Sequence, residues 1–307
     1  MFDPAAWLQA TRPLAQVNLV VPLWLGQALA FAYTGAFSLP TLYGAHFLAA
    51  LLLLVIVFSN DYADRDADAA NTTYNEFSGG SRVLPEGRLR PGELRDAAWL
   101  ALAGLVGLSL YMAFGTGRPW TPAFVAAAAL LVWVYNFAPL RLSYRGGGEV
   151  VQGLGTGVLL PLLGFYLQAG SLAAFPWLAL VPLFLLGVVG NILTSLPDVP
   201  ADRQADKRSY AVRRGQWAAR RHSLELLVMA TLMGGLVVPG LGTLAVALLA
   251  APALVLVARC IPLLGSADAE QRDECRRFIL LAAGAAHLQC VLWSLALIVV
   301  GLLRDML

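Results

Sequence analysis

The chain has 307 residues, 59% of them hydrophobic and 13% charged, with a mean hydropathy of +0.69. Soluble domains carry about 25% charged residues, so the composition excludes a soluble protein and points to an all-α, polytopic membrane protein. The formal net charge of +2 identifies no partner by itself, and no nucleic-acid partner is expected.

A bilayer core takes about 20 apolar residues per crossing. The apolar runs predict nine transmembrane helices near 17–36, 41–59, 97–114, 121–139, 149–169, 174–196, 222–239, 241–262 and 278–303, the seventh and eighth divided only by Pro239-Gly240. With the N-terminus in the cytoplasm, all of the 21 Lys and Arg residues except Arg118 and Arg304 fall on the cytoplasmic side, as the positive-inside rule requires. Nine crossings then leave the C-terminus outside. Residues 1–16 lack a positive, apolar and cleavage-site succession, so no removable signal peptide is expected. The whole of 1–307 reads as one domain.

The first helix follows Arg12-Pro13 and contains Pro22 and Gly26, for which close helix packing is the simplest reading. Asn18, at its cytoplasmic end, either lines a cavity or sits at the interface. The second run ends in Asn60-Asp61-Tyr62-Ala63-Asp64-Arg65-Asp66-Ala67-Asp68. In a helix Asn60, Asp64 and Asp68 project from one face over about two turns. Carboxylates this close raise one another's pKa unless a cation sits among them, and an all-oxygen set favours Mg²⁺.

The device recurs. Ala201-Asp202-Arg203-Gln204-Ala205-Asp206 repeats the Ala63 to Asp68 pattern 138 residues later, with Asp198 in the place of Asn60. Asp198, Asp202 and Asp206 are therefore expected as a second metal-binding row, and the chain as two pseudo-repeated halves. The cytoplasmic cap loops would be 60–96 and 197–221.

Around these rows, Gly79-Gly80-Ser81 supplies backbone freedom and free N–H groups, and Arg82 a fork matched to phosphate oxygens, which reads as a diphosphate lid. Asn71-Thr72-Thr73 fits a glycosylation acceptor, but its cytoplasmic placement argues against that use. Tyr135 offers a π-face to a carbocation or is an interface anchor. Arg141 and Arg145 are either topogenic charges or ligands of a bound anion. Gly146-Gly147-Gly148 follows no strand, which excludes a dinucleotide fold. Gly153, Gly155 and Gly157 are expected to permit close packing. Lys207 and Arg208 suit the phosphate oxygens of a metal–diphosphate complex, whereas Arg213, Arg214, Arg220 and Arg221 read as lipid-attracting. His46 and His287 are expected as packing histidines. Cys260, Cys275 and Cys290 lack metal or disulfide spacing and read as packing residues or free thiols.

Together these residues resemble the UbiA superfamily of intramembrane prenyltransferases. Asn60, Asp64 and Asp68 match its N-x-x-x-D-x-x-x-D motif, and Asp198 and Asp202 its D-x-x-x-D motif. Arg82-Val83-Leu84-Pro85-Glu86-Gly87-Arg88-Leu89 is similar to its R-P-I-P-S-G-R-I element, with Val83 replacing the first proline. The resemblance runs from Arg12 to about Gly215. It implies nine helices around a central cavity open sideways to lipid, Mg²⁺ as cofactor, and a prenyl diphosphate and an aromatic acceptor as partners. It also implies that Asp64, Asp68, Asp202 and Tyr135 serve catalysis while Arg82, Arg141, Arg145, Lys207 and Arg208 hold the diphosphate.

Asn60-Asp61-Tyr62, Tyr144-Arg145-Gly146 and Leu196-Pro197-Asp198 are most similar to the menaquinone branch, which prenylates 1,4-dihydroxy-2-naphthoate. Ser143 stands where that branch often has lysine, and Asp206 where it usually has glycine. A terpene cyclase of the superfamily would share the metal motifs. A cation-coupled transporter would carry its carboxylates near the midplane on broken helices, and a non-catalytic assembly factor would need neither row intact.

Overall fold

The computed structural model describes residues 3–304 and is helical throughout. The order is α1 (Pro4–Ala10), α2 (Val17–Thr34), α3 (Leu39–Ala70), α4 (Pro91–Gly115) and α5 (Thr121–Asn136). Then come α6 (Leu142–Arg145) and α7 (Gly148–Gln152), which continues through a π-helical stretch, Gly153–Leu159, into α8 (Leu160–Ala169). They are followed by α9 (Leu180–Thr194), α10 (Val199–Gln204), α11 (Tyr210–Arg214), α12 (Gln216–Leu232), α13 (Thr243–Cys260) and α14 (Arg272–Arg304).

A helix stands at each of the nine expected positions, but among the described residues only 7 helical stretches are long and apolar enough to cross a membrane. The two that fall short are α5, apolar but 16 residues long, and α12, 17 residues long with Arg220, Arg221 and Glu225 within it. Helix α3 departs in the other direction. It runs unbroken for 32 residues, about 48 Å at 1.5 Å per residue, against a hydrocarbon core of about 30 Å. Its last turns, which bear the first acidic row, therefore project beyond the apolar layer.

Small residues set the closest crossings. A Cβ on Gly26 would lie 2.1 Å from the Pro161 carbonyl oxygen, and one on Gly164 would lie 2.2 Å from that of Leu23, so α2 and α8 touch backbone to backbone, as membrane helices do at small residues. Gly157 allows the same approach to α9, where a Cβ would meet the Leu183 carbonyl at 2.3 Å. Two apolar clusters flank this crossing. One gathers Val189, Ile192, Leu227, Phe278 and Trp293, and the other Leu48, Leu105, Met112 and Leu163; α2 contributes Leu25 and Leu29 to the first and Leu19 and Leu23 to the second.

The second acidic row does not keep the register expected of it. Helix α10 ends at Gln204, and Asp206 adopts a left-handed φ of 52°. Turning the backbone there carries Asp206 off the face that Asp198 and Asp202 share and leaves it exposed.

Candidate active site

A cavity of about 280 Å³ lies between α2, α3, α5, the α7–α8 segment and α9, and is capped by α10 and the loop after it. Asn60, Asp64 and Asp68 line it from α3, because an i, i+4, i+8 row on an unbroken helix shares one face. Asp198 and Asp202 line it from the facing segment. Lys207 joins the two sides, its Nζ lying 3.0 Å from Asp64 Oδ2 and 3.6 Å from Asp202 Oδ1. Asn60 Nδ2 donates to Asp64 Oδ2 at 3.1 Å and to Asn136 Oδ1 at 3.2 Å.

The other oxygens of the central pair, Asp64 Oδ1 and Asp202 Oδ2, are buried without a hydrogen-bond partner. Bare anionic oxygens cost free energy when removed from water, and hard oxygen donors facing one another fit a divalent cation such as Mg²⁺. Among the described residues no three His, Cys, Asp or Glu side chains stand close enough together to hold a metal ion by themselves. A cation here would therefore take the rest of its shell from water or a ligand.

The electrostatics follow from this crowding. Burial, with the Asp202 charge beside it, pushes the Asp198 carboxyl up to about 7. Burial also raises Asp202, against the pull of Lys207. Burial by itself would lower Lys207, but the Asp64 and Asp202 carboxylates carry it well above its ordinary value.

The loop after α3 is tied over the cavity at both ends. Asn71 Nδ2 donates to Asp198 Oδ1 at 2.6 Å, and Thr73 Oγ1 to the Pro197 carbonyl at 2.6 Å. Asp61, buried, accepts from the Ser81 N–H and hydroxyl and pairs with Arg12, which also lines the cavity. Gly79 and Gly80 line the mouth with positive φ values of 72° and 71°, and a Cβ on Gly80 would lie 2.2 Å from Asp68 Oδ2. Only glycine fits that approach.

The predicted phosphate ligands divide. Lys207 lines the cavity. Arg82 is instead spent on the loop, donating to the Asp68 and Gly79 carbonyls and lying 4.1 Å over the Tyr74 ring. Arg141 donates to the Ala63 carbonyl at 3.1 Å and stacks 3.5 Å over Tyr144, which ties α6 to α3. Arg145 and Arg208 are exposed, and neither is among the residues that line the cavity. Tyr135 lines it, its hydroxyl accepting from Asn191 Nδ2 at 3.1 Å, while Asn191 also donates to Gln152 Oε1 at 3.0 Å.

Two expected lipid ligands are paired within the protein instead. Arg213 donates to Glu149 Oε1 at 2.5 Å and to the Arg208 carbonyl at 3.1 Å, which closes the second cap loop onto the first turn of α7. Arg220 is 1% exposed and donates to the Leu264 and Ala267 carbonyls and to Asp268. Arg214 is exposed, and Arg221 pairs with Glu225 at 2.7 Å. His46 and His287 bond to the carbonyl one turn before them, and His287 also meets Asn18, which lines the cavity. Gly153 and Gly157 pack against α9 as expected, but Gly155 faces the cavity, where a Cβ would meet only Leu131, at 3.8 Å.

Sequence reasoning missed Arg12, Asn136, Gln152 and Asn191. Their signal was a polar side chain beside or within an apolar run, which in a membrane protein has to find a partner or a cavity.

The UbiA prenyltransferase family profile matches residues 19–284. The chain is 26% identical over 253 residues to the 1,4-dihydroxy-2-naphthoate octaprenyltransferase of Mycobacterium tuberculosis, covering 81% of this chain and 83% of that protein. It is 29% identical over 290 residues to a C(50) β-cyclic carotenoid biosynthesis protein of Dietzia sp., covering 93% of this chain and 64% of that one. Its fold is similar to the structure of a UbiA homologue from Archaeoglobus fulgidus bound to GPP and Mg²⁺, with a TM-score of 0.68 at 16% identity over 96% of this chain and 99% of that one.

Proposed function

The chain belongs to the UbiA prenyltransferase family and is a transferase, and from that premise we propose that it transfers a prenyl group, with Mg²⁺, from a prenyl diphosphate to an aromatic acceptor. The observation that carries this reading is the meeting of Asp64 and Asp202 across Lys207, each with one buried oxygen left bare. Asn60, Asp64, Asp68, Asp198 and Asp202 would hold the metal. When bound, Mg²⁺ supplies charge neutralisation of the diphosphate leaving group.

The remaining work falls to the protein. Lys207, the Arg12 guanidinium and the Gly79 and Gly80 backbone bind diphosphate oxygens at the mouth. Arg82 and Arg141 act at one remove, by holding the loops that shape it. Leu19, Leu53, Ile56 and Val132 wall the cavity below the acids and keep water from the allylic carbon. Tyr135, fixed by Asn191, presents its ring to the developing allyl cation. The allylic C–O bond breaks with diphosphate as the leaving group, the electron-rich carbon of the acceptor forms the new C–C bond, and that carbon regains its aromaticity by losing its proton or, where it bears a carboxylate, carbon dioxide.

For the acceptor we favour 1,4-dihydroxy-2-naphthoate or a related quinone precursor, on the strength of the mycobacterial relative. The Dietzia relative, which matches more of this chain, supports a second reading, a larger lipophilic acceptor of carotenoid type. We also read nine crossings with the N-terminus and both cap loops cytoplasmic, in support of which a helix stands at each expected position. The test is a product assay by mass spectrometry with purified protein, Mg²⁺ and a prenyl diphosphate. A prenylated naphthoquinol that forms only with the naphthoate supports the first acceptor. Diphosphate release with a cyclic product and no acceptor would make the protein a cyclase.

A further inference from the structure

The cavity is long and one-sided. On α3 its lining runs from Asp68 at the mouth to Leu52 at the deep end, sixteen residues or about 24 Å at 1.5 Å per residue. The polar belt formed by Tyr135, Asn136, Gln152 and Asn191 lies part of the way down, and below it the lining is almost wholly apolar. The deep end is formed by Leu52, Ala128, Leu159 and Leu160. Those same four residues line one side of a second, much smaller void of about 10 Å³, which continues between α3, α4, α5 and α8 toward Leu105, Phe124 and Leu163. One layer of side chains, three leucines and one alanine, therefore separates the substrate cavity from unfilled apolar space directly beyond it.

We propose that this partition sets the length of prenyl chain the enzyme accepts, with Leu52 and Ala128 as the determining residues. The inference rests on the prenyl diphosphate reading above. A diphosphate anchored at the acids points its tail down the apolar wall, and burying each added methylene there strengthens binding. When the tail end meets Leu52 and Leu160 the gain stops, and a longer chain must bend back or displace packed side chains, which is unfavourable in an interior this dense. Leu52 is the larger barrier, since its removal joins the two spaces. Ala128 is the smallest residue of the layer, so lengthening it shortens the cavity.

The test is binding of non-cleavable prenyl diphosphate analogues of increasing length, in the presence of Mg²⁺, to the full-length protein and to the variants Leu52→Ala, Leu159→Ala and Ala128→Leu. The wild type is expected to gain affinity with each isoprenoid unit up to one length and then to lose it. Leu52→Ala should move that optimum to a longer chain, with the long-to-short affinity ratio rising about tenfold, and Ala128→Leu should move it the other way. Leu159→Ala serves as the second enlarging variant should Leu52→Ala not fold. Affinity that rises or stays level with length in all folded proteins would mean that the tail leaves sideways into lipid, and would overturn the proposal while leaving the prenyltransferase reading intact. A wild type that binds no analogue of any length would overturn both.

Discussion

Lys207 Nζ stands 3.0 Å from Asp64 Oδ2 although 143 residues separate them in the chain, and the same ammonium reaches Asp202 Oδ1 at 3.6 Å. One cation is thus the counter-charge of both acidic rows. Removing one partner of a buried pair costs about 3–5 kcal/mol, because the other charge is left uncompensated. We expect Lys207→Met to unfold at lower temperature than the wild type without metal, and to be stabilised more by added Mg²⁺. Equal stabilisation of both proteins by Mg²⁺ would mean that lysine and metal do not answer the same charges.

Asp64→Asn and Asp202→Asn keep the shape of the side chain and remove its charge. Each should lower turnover by roughly 10²-fold or more, the scale on which a preorganised electrostatic contact acts, while folded protein is still recovered because Lys207 keeps the other carboxylate as its partner. Measured turnover close to that of the wild type, at ordinary Mg²⁺ concentration, would leave the row concerned with a purely structural part.

The Asp198 carboxyl, pushed up to about 7 by burial and by Asp202, gives Mg²⁺ binding a pH dependence of definite sign. A group with a raised pKa holds its proton below that value, and the cation binds the ionised form. Apparent Mg²⁺ affinity should therefore rise as pH increases from 6 toward 8, with a proton released on binding. Calorimetry in buffers of different ionisation enthalpy counts that proton, and a pH-independent affinity would remove Asp198 from the metal-binding set.

Much of the site was legible in the sequence because the spacing of ligands along a helix is a local property. Asn60, Asp64 and Asp68 share a face of α3 for the same reason that their spacing could be read at all. Asp198 and Asp202 follow the same rule, whereas Asp206 does not, since the end of α10 at Gln204 depends on how the loop is packed and not on the repeat. The same limit applies to arginines. Arg82, Arg213 and Arg220 have the same chemistry in the sequence, yet one braces a loop, one pairs with Glu149 and one is sealed among carbonyls. Partners that distant cannot be read from spacing. Asn71 was set aside as a glycosylation acceptor, and its contact with Asp198 appears only when the two cap loops are brought together.

Orientation has its own test. Glu86 and Gln204 are exposed, one on each cap loop, and Pro119 is exposed at the opposite end. In sealed vesicles of known sidedness Glu86→Cys and Gln204→Cys should label only from the cytoplasmic side, and Pro119→Cys only from the other. Labelling of the two cap loops from opposite sides would contradict a shared site.

The most direct measurement is the mutual dependence of Mg²⁺ and prenyl diphosphate binding. A metal that bridges carboxylate and phosphate oxygens must strengthen the binding of the diphosphate, and by linkage the diphosphate must strengthen that of the metal by the same factor. With a non-cleavable prenyl diphosphate analogue and folded protein, we expect Mg²⁺ to raise analogue affinity at least tenfold, the analogue to raise Mg²⁺ affinity equally, EDTA to abolish the effect, and Asp202→Asn to remove it. Analogue binding of unchanged strength with and without Mg²⁺ would contradict a metal–diphosphate site between the two acidic rows.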